Sequence, residues 1–318
     1  MKIVFLDAYT LNPGDLSWQP LRQIGETTIY DRTPPSQFIE RAKEANILIL
    51  NKAKITQKEL DQLPNLKLIV VAATGYNNVD TQAAKERGIL VANVPNYGAS
   101  TVAQHTIALI LSLTNQVYQH HQTVQRGDWT NSPDWSYTLK PISALSNKTI
   151  GIVGYGSIGK KVATIAKSMG MLVLIHRKNP DRKIARGMIQ ADMNNLFKQS
   201  DIITFHCPLT DANKEIINRQ TLSLMKHNAL LINTARGGLI NEQDLAQALN
   251  NQVIAGAALD VLTTEPPTAN NPLLSAKNCI ITPHIAWASV EARTNLLSIL
   301  TQNIQAYIKG TPINIVNP

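Results

Sequence analysis

The fold class of this chain can be predicted from TIGIVGYGSIGKKVATIAKSMG (149–170). This stretch begins with a short apolar run that is typical of a buried strand. Three glycines in six residues follow, and then apolar residues recur at helical spacing. A strand, a glycine turn and a helix in this order begin a βαβ unit, whose strands pair in parallel. The stretch therefore predicts a parallel sheet covered by helices.

Two series of short apolar runs, each alternating with helical patterns, extend this prediction along the chain. The first series lies at 2–8, 46–50, 67–74 and 89–94, and the second at 149–153, 172–176, 201–207, 229–235, 253–261 and 279–283. Such alternation is typical of parallel sheets with both faces covered. The predicted fold class is therefore α/β, with two doubly wound parallel-sheet domains of the Rossmann type.

The segment between the two series predicts a helix and an irregular arm. Residues 100–113 are apolar almost all round, which is typical of a buried helix. Residues 126–147 are rich in Trp, Pro, Ser and Asn and carry Trp129 and Trp135. These tryptophans could belong to the core of a loop or could anchor a second subunit. We favour the anchor, because aromatic residues are enriched in interfaces.

The composition excludes several classes of protein. The chain has 318 residues, 44% of them hydrophobic, and a net charge of +8, with lysines and arginines scattered singly. We therefore expect a basic surface that attracts small anions, and no nucleic-acid partner. No apolar run reaches membrane-spanning length, and no signal peptide is evident. Cys207 and Cys279 offer neither a disulfide framework nor metal spacing, so we predict a cytoplasmic protein without a metal site.

Gly154, Gly156 and Gly159 form the pattern G-x-G-x-x-G between a predicted strand and a predicted helix. In this context the first glycine permits a tight turn, the second lets a pyrophosphate approach the backbone, and the third lets helix and strand pack closely. The helix N-terminus offers N–H groups to the anion. The pattern predicts a dinucleotide site, the alternative being three turn glycines without a ligand.

Basic residues stand where a site for NAD usually has an acidic one. His176, Arg177 and Lys178 end the second predicted strand, with Arg182 and Lys183 just beyond. The nearest carboxylate, on Asp181, follows a proline. Guanidinium and ammonium groups suit a 2′-phosphate, whereas a carboxylate suits a ribose hydroxyl. We therefore favour NADP(H) over NAD(H), the alternative being a solvated basic loop without selectivity.

Arg236, Glu265 and His284 each follow an apolar run of the second series. A guanidinium can bind a substrate carboxylate with two hydrogen bonds, and a histidine can protonate a developing alkoxide. A carboxylate beside that histidine would favour its protonated form and orient its ring. We predict these three roles for a hydride transfer to a ketone. Taken singly, Arg236 could instead form a surface ion pair, Glu265 could be a charged loop residue, and His284 could be a structural histidine at a strand end.

Seven motifs, in order, resemble the D-isomer-specific 2-hydroxyacid dehydrogenases over nearly the whole chain. They are VAATGYNNVD (71–80), NVPNYGASTVAQHTIALIL (93–111), GYGSIG (154–159), HCPLTDAN (206–213), NTARGG (233–238), LDVLTTEPP (259–267) and TPHIAWAS (282–289). The last motif, with Trp287, is most like the glycerate dehydrogenase (hydroxypyruvate reductase) branch. The family places the Arg, Glu and His of the last three motifs at its catalytic centre, which here are Arg236, Glu265 and His284.

The resemblance also implies the architecture. Residues 1–98 and 288–318 should form a discontinuous substrate domain, and residues 99–287 should form an inserted dinucleotide-binding domain. Dimerisation through the cofactor domain and its arm is implied as well. The chain departs from the family at Arg177, where an acid is common, and at Gln104, which replaces the usual Glu before His105.

Further site residues are implied by the same comparison. Thr74, Gly75 and Trp287 should bind substrate together with Arg236 and His284. The carbonyl of Ala235 and the carboxylate of Asp260 should position the nicotinamide carboxamide. The other expected cofactor residues are Thr101, Gly154, Tyr155, Gly156, Ser157, Ile158, Gly159, His176, Arg177, Lys178, Cys207, Pro208, Thr234 and Ala286. His206 has no evident orienting partner in the sequence, and we interpret it as a cofactor-groove or structural residue.

The resemblance implies an NAD(P)H-dependent oxidoreductase that reduces a small 2-oxo acid, hydroxypyruvate or glyoxylate, to the D-2-hydroxy acid. His284 would be the general acid. One alternative is the same chemistry on another acid, such as phosphoglycerate or lactate. The other is a non-catalytic, corepressor-like protein that binds the dinucleotide and a partner.

Overall fold

A computed structural model of the chain describes residues 1–179 and 183–318, which form two compact units. The first unit is discontinuous, with Met1–Gly98 and Trp287–Pro318, and the second comprises Ala99–Ala286. Within the described residues, no helix has both the length and the apolar character needed to cross a membrane.

All strands and helices are short relative to the chain. The strands are β1 (Lys2–Phe5), β2 (Glu26–Ile29), β3 (Ile47–Leu50), β4 (Leu68–Val71), β5 (Leu90–Ala92), β6 (Thr149–Val153), β7 (Leu172–His176), β8 (Ile189–Gln190), β9 (Ile202–Phe205), β10 (Leu230–Asn233), β11 (Gly256–Leu259) and β12 (Cys279–Ile281). The α-helices are α1 (Gln19–Arg22), α2 (Phe38–Ala42), α3 (Gln57–Leu60), α4 (Thr81–Glu86), α5 (Ala99–Asn115), α6 (Val117–Gln125), α7 (Ser157–Ser168), α8 (Met193–Gln199), α9 (Arg219–Leu222), α10 (Glu242–Asn250) and α11 (Val290–Ile308).

The first unit is a five-stranded sheet in the order β2-β1-β3-β4-β5, with every pair parallel. Strand β3 reads ILIL and is buried throughout, because alternate side chains face two different cores. Ile47 and Ile49 pack with Leu296 of α11, whereas Leu48 and Leu50 pack in the core that contains Phe38 of α2. Both faces of this sheet are therefore covered.

The second unit is a seven-stranded sheet in the order β12-β11-β10-β9-β6-β7-β8, again parallel in every pair. Ile107 and Ile110 of α5 pack with Val162 and Ala166 of α7 on one face. The other face packs against Leu196 of α8 and against α10. The prediction of two doubly wound parallel sheets is confirmed.

The predicted strands all exist, but two edge strands do not appear among the predictions. Strand β2 reads ETTI and alternates between exposed and half-buried residues, and β8 has only two residues, both exposed. Neither strand carries the continuous apolar run that indicates a central parallel strand. The predicted helix 100–113 runs from Ala99 to Asn115.

The second boundary between the units lies one residue before the predicted one. Trp287 groups with the first unit, whereas the bounds implied by the resemblance include it in the inserted domain. Its ring meets that of Tyr97 edge to face, with 6.2 Å between the ring centroids. It also packs against the core that contains Leu296, so its apolar contacts are those of the first unit.

A carboxylate of the chain itself occupies the point in the first sheet where the strand order reverses. Asp7 follows β1 and accepts hydrogen bonds from the N–H groups of Asn51, Lys52 and Ala53, at 2.7, 2.6 and 2.8 Å. These residues follow the neighbouring strand β3. Burial raises the pKa of Asp7 against the opposing effect of the three N–H donors. At this position the second sheet has its glycine turn instead.

Arg293 of α11 connects the two chain segments of the first unit. Its guanidinium binds both carboxylate oxygens of Asp15, at 2.7 and 2.6 Å. It also donates to the carbonyl oxygens of Leu11 and Ala288, at 3.1 and 3.0 Å. Arg293 is 6% exposed, so these donors are removed from water.

We predict that Arg293→Met lowers the free energy of unfolding of the first unit by about 2 kcal/mol, because the buried carbonyl oxygen of Leu11 loses its donor. Urea denaturation followed by circular dichroism measures this loss. The matched control is Arg126→Met, which removes an exposed ion pair with Asp128 and should cost under about 0.5 kcal/mol. Equal denaturation midpoints for wild type and Arg293→Met would contradict this account.

Candidate active site

The three glycines of the turn after β6 have three different environments. Gly154 has φ +99°, and a Cβ atom there would lie 2.5 Å from the carbonyl oxygen of His206. A Cβ atom on Gly159 would overlap the carbonyl oxygen of Gly154. A Cβ atom on Gly156 would meet nothing within 4 Å. The first and third glycines are therefore required by the turn itself, and the second leaves open space beside the backbone.

This open space lies at the N-terminus of α7, for which Gly156 is the N-cap residue. The helix N-terminus offers N–H groups and a partial positive charge to an anion. The turn also lies where the strand order of the sheet reverses, between β6 and β9, which is where ligands of such sheets bind. Gly154–Gly159, with Tyr155, Ser157 and Ile158 among them, therefore fit a pyrophosphate.

The end of β7 adds positive charge next to this turn. The guanidinium of Arg177 lies 5.8 Å from the centroid of the Tyr155 ring, and the ammonium of Lys160 lies 5.9 Å from it. His176 donates from Nδ1 to the carbonyl oxygen of Ala191 at 3.2 Å, and Lys178 is exposed. Lys160 was not among the predicted residues, although its position directly after the third glycine could have indicated it. Asp181 and Arg182 lie outside the described residues.

Arg236, Glu265 and His284 follow β10, β11 and β12, which are neighbours in the sheet. Because the carboxyl ends of parallel strands lie at one edge, the three loops share the edge that carries the glycine turn. His284 Nδ1 lies 2.6 Å from Glu265 Oε2. The second oxygen of Glu265 accepts from the N–H of Leu262 at 3.1 Å. The structure thus joins two of the three predicted catalytic residues directly.

The hydrogen bond between these residues determines the proton positions on His284. A carboxylate only accepts hydrogen bonds, so Nδ1 of His284 carries a proton and Nε2 is the nitrogen that does not bind Glu265. The side chains of His284 and Glu265 are 27% and 32% exposed, so a solute can reach them. His284 has φ +55°, a left-handed conformation that costs a non-glycine residue on the order of 1 kcal/mol. The surrounding loop must compensate for that cost.

Arg236 lies on a loop that packs against the loop of Glu265. A Cβ atom on Gly237 would overlap the backbone of Leu262, so the two loops are in close contact. The guanidinium is exposed, and its Nη1 donates to the carbonyl oxygen of Ala235 at 2.7 Å. That carbonyl is the one expected to bind the carboxamide. A guanidinium has five N–H donors, so this single bond leaves Arg236 able to bind a carboxylate.

Asp260 is buried at the end of β11 and organises the loop of His284. It accepts from Thr282 Oγ1 at 2.6 Å and from the N–H groups of Ile285 and Ala286 at 2.9 and 2.8 Å. Burial raises its pKa, but these bonds and one from His105 outweigh burial, so the pKa of Asp260 lies below its ordinary value. Asp260 therefore holds a negative charge within the unit.

The remaining predicted cofactor residues follow strands of the second sheet, except Thr101, which is on α5. Thr234 is buried, and its hydroxyl lies 3.1 Å from that of Thr106, while Thr101 lies in the first turn of α5. Cys207 and Pro208 follow β9, and burial raises the pKa of the Cys207 thiol. Gln104 is exposed on α5, and nothing in the structure explains why it replaces the family's usual Glu.

His206 differs from His284 in its surroundings. Its Nε2 lies 3.0 Å from Thr204 Oγ1, and its Nδ1 is buried without a hydrogen-bond partner among the described residues. Burial lowers the pKa of His206 to about 3, so its imidazole is neutral at ordinary pH. A neutral imidazole with a pKa this low is a poor general acid. These surroundings agree with the structural or groove role that we assigned to His206.

Thr74, Gly75 and Trp287 lie in the first unit. The hydroxyl of Thr74 donates to the carbonyl oxygen of Val94 at 2.9 Å, and the carbonyl of Thr74 accepts from Asn93 Nδ2 at 2.8 Å. Thr74 and Gly75 follow β4, so their loop lies at the carboxyl edge of the first sheet. Trp287 packs on Tyr97, as described above, so it has a packing role in its own unit.

Residues 107–286 match the model of a protein family described as D-isomer specific 2-hydroxyacid dehydrogenase, NAD binding domain. The chain belongs to this family. It is 44% identical, over the full length of both chains, to hydroxypyruvate reductase from Blautia hydrogenotrophica. It is 41% identical to glycerate dehydrogenase from Methylorubrum extorquens, with 99% of this chain and 98% of the relative covered.

A solved structure, an acyclic imino acid reductase (Bsp5) in complex with NADPH and D-Arg, aligns with a TM-score of 0.87 and 33% identity. The alignment covers 99% of this chain and 100% of that one. The prediction of a D-2-hydroxyacid dehydrogenase, and hence of an enzyme of the oxidoreductase class, is confirmed. The family's NAD-binding domain and this neighbour also support a nicotinamide dinucleotide as the cofactor.

We predict opposite outcomes for alanine at two glycines of the turn. Gly156→Ala should have the same free energy of unfolding as the wild type, because the added methyl group meets open space. It should nevertheless weaken NADPH binding about 10-fold, because the methyl group narrows the approach of the pyrophosphate to the backbone. Gly159→Ala should destabilise the second unit by about 2 kcal/mol, because its methyl group overlaps the Gly154 carbonyl.

Fluorescence titration with NADPH and urea denaturation separate these two effects. The two variants serve as controls for each other, since each adds one methyl group within the same turn. Unchanged NADPH affinity in Gly156→Ala would show that the pyrophosphate does not bind at this turn.

Proposed function

We propose that this enzyme reduces a small 2-oxo acid, with hydroxypyruvate or glyoxylate as the preferred substrate, to the D-2-hydroxy acid. The observation that carries the proposal is the 2.6 Å hydrogen bond between His284 and Glu265, on loops at the edge that carries the glycine turn. An acid held by a carboxylate beside a nicotinamide site is what ketone reduction requires. The names of the two relatives support this substrate class.

The reduced nicotinamide, when bound, supplies the hydride that C2 of the substrate accepts. Arg236 binds the substrate carboxylate through its remaining N–H donors and polarises the ketone. His284 delivers the proton to the developing alkoxide from Nε2, because Nδ1 is bound to Glu265. Glu265 orients the ring and stabilises the positive charge of the imidazolium. Thr74 and Gly75 are the proposed backbone contribution to carboxylate binding.

NADP(H) is the proposed coenzyme. Arg177, directly after β7, and Lys160, in the first turn of α7, both lie within 6 Å of the Tyr155 ring. The end of the second strand is where the ribose of a dinucleotide binds. The sequence from His176 to Asn179 contains no carboxylate that could accept from a ribose 2′-hydroxyl. A guanidinium and an ammonium together favour the doubly charged 2′-phosphate.

A homodimer in the cytoplasm is proposed as the working form. Between α6 and β6 the arm 126–147 forms neither helix nor strand. The side chains of Trp129 and Trp135 are 52% and 88% exposed, and the indole of Trp129 donates to the carbonyl oxygen of Trp135 at 3.0 Å. Two exposed indoles on one arm, the first of them bonded to the backbone of the second residue, supply the aromatic anchors that interfaces favour.

We predict that the purified chain oxidises NADPH faster than NADH, and that hydroxypyruvate or glyoxylate gives a higher kcat/KM than pyruvate, phenylpyruvate or phosphohydroxypyruvate. Initial rates with each coenzyme and each acid test both statements.

Arg177→Asp should lower kcat/KM for NADPH by at least about 10-fold and reverse the preference for NADPH over NADH, because the new carboxylate repels the 2′-phosphate.

Lys198→Asp makes the same charge change at an exposed site on α8 and should leave the preference unchanged. Equal or faster rates with NADH in the wild type would overturn the coenzyme proposal. Binding of NADPH without turnover of any short 2-oxo acid would favour the non-catalytic alternative.

For the catalytic residues, His284→Ala should lower kcat about 10²- to 10⁴-fold with an unchanged Kd for NADPH, because only proton delivery is removed. Arg236→Ala should raise KM and lower kcat together. Arg236→Lys should recover only part of the lost kcat/KM, because an ammonium cannot bind a carboxylate with two parallel hydrogen bonds. Steady-state kinetics and NADPH titration measure these effects.

The control for the histidine variant is His227→Ala, which truncates an exposed histidine after α9. It should keep wild-type kinetics. Near-normal turnover of His284→Ala would show that another group is the acid.

A further inference from the structure

His105 of α5, Thr282 and Asp260 form a chain of hydrogen bonds next to the loop of His284. Thr282 Oγ1 lies 2.6 Å from Asp260 Oδ1 and 3.1 Å from His105 Nε2. His105 Nε2 is also 3.4 Å from the same carboxylate oxygen. The Asp260 side chain has no exposed surface, and that of His105 is 20% exposed. All three residues lie in the second unit.

The direction of these bonds follows from the chemistry of the partners. The pKa of Asp260 lies below its ordinary value, so the carboxylate is ionised and only accepts. The Thr282 hydroxyl must therefore donate its one proton to Asp260. Its oxygen can then only accept from His105, so Nε2 of His105 carries a proton. His105 thus orients the hydroxyl of Thr282 toward the carboxylate.

The carboxylate in turn binds the chain on both sides of His284. It accepts from the Thr282 side chain two residues before His284, and from the N–H groups of Ile285 and Ala286 directly after it. His284 itself has the left-handed φ of +55°. Donors that flank a strained residue and converge on one buried charge restrict its backbone to that conformation. This conformation places Nδ1 of His284 2.6 Å from Glu265.

We propose that His105 and Thr282 are positioning residues for the proton transfer, acting through Asp260 to hold His284 in its left-handed turn. The inference rests on the proposed function only in that His284 is the general acid. It assigns Asp260 a second role besides the expected contact with the carboxamide. Oδ2 of Asp260 accepts from the N–H of Ala286 and keeps acceptor capacity for that contact.

The decisive pair of variants is Thr282→Val and Thr282→Ser. Valine has the shape of threonine without the hydroxyl, and serine keeps the hydroxyl. We expect Thr282→Val to lower kcat about 10- to 100-fold, with KM and the Kd for NADPH within about 3-fold of wild type, because a small misplacement of the acid costs this much. Thr282→Ser should recover kcat to within about 3-fold of wild type.

Two further readouts distinguish positioning from a general loss of structure. The solvent deuterium isotope effect on kcat should rise in Thr282→Val, because proton delivery becomes slower relative to the other steps. A crystal structure of this variant should show His284 outside the left-handed region or Nδ1 withdrawn from Glu265. His105→Leu should also lower kcat. His105→Gln keeps an N–H donor and should lower kcat less.

Three results would overturn the inference. The first is that Thr282→Val keeps the kcat of the wild type. The second is that Thr282→Val and Thr282→Ser lower kcat equally. The third is that Thr282→Val weakens NADPH binding and leaves kcat unchanged. If Thr282→Val fails to fold, the two His105 variants decide between the same outcomes. If the wild type reduces no 2-oxo acid, the proposed function fails, and the crystal structure of the variant alone decides whether this network holds the turn.

Discussion

Parallel pairing throughout the seven-stranded sheet places the loop after every strand at one edge, and the proposed chemistry depends on this constraint. The glycine turn, the guanidinium of Arg236 and the pair formed by Glu265 and His284 come from four different loops. These four loops are well separated along the chain. The sheet brings them to one edge because each follows a strand that ends there.

One carboxylate in each unit then shapes the loops at the strand ends. Asp7 binds three successive N–H groups of the loop after β3, and Asp260 binds two successive N–H groups after His284. In the first unit the carboxyl group of Asp7 takes the position at which the second unit leaves open space beside Gly156. The two units therefore share one fold type. In the first, a side chain fills the point where the strand order reverses, and in the second this point has a glycine turn that fits a pyrophosphate.

Much of the fold could be predicted because central parallel strands are continuous apolar runs. Strands such as β3 and β6 lie where the sequence indicates, whereas the polar edge strands β2 and β8 carry no such signal. Arg236, Glu265 and His284 could be selected by residue type at predicted strand ends. Lys160 could have been selected as well, because it directly follows the third glycine. Thr282 and His105 could not, because their side chains acquire the proposed role only through neighbours that are distant in the chain.

Local spacing and residue chemistry were enough to predict the fold class, the glycine turn, the family and the types of the proposed reacting groups. Which partner each group has follows only from the folded chain. His284 meets Glu265 across 19 residues of sequence, and Thr282 meets Asp260 across 22 and His105 across 177. Hydrogen bonds act over about 3 Å, so the tautomer and backbone conformation of His284 depend on contacts that exist only after the strands have paired.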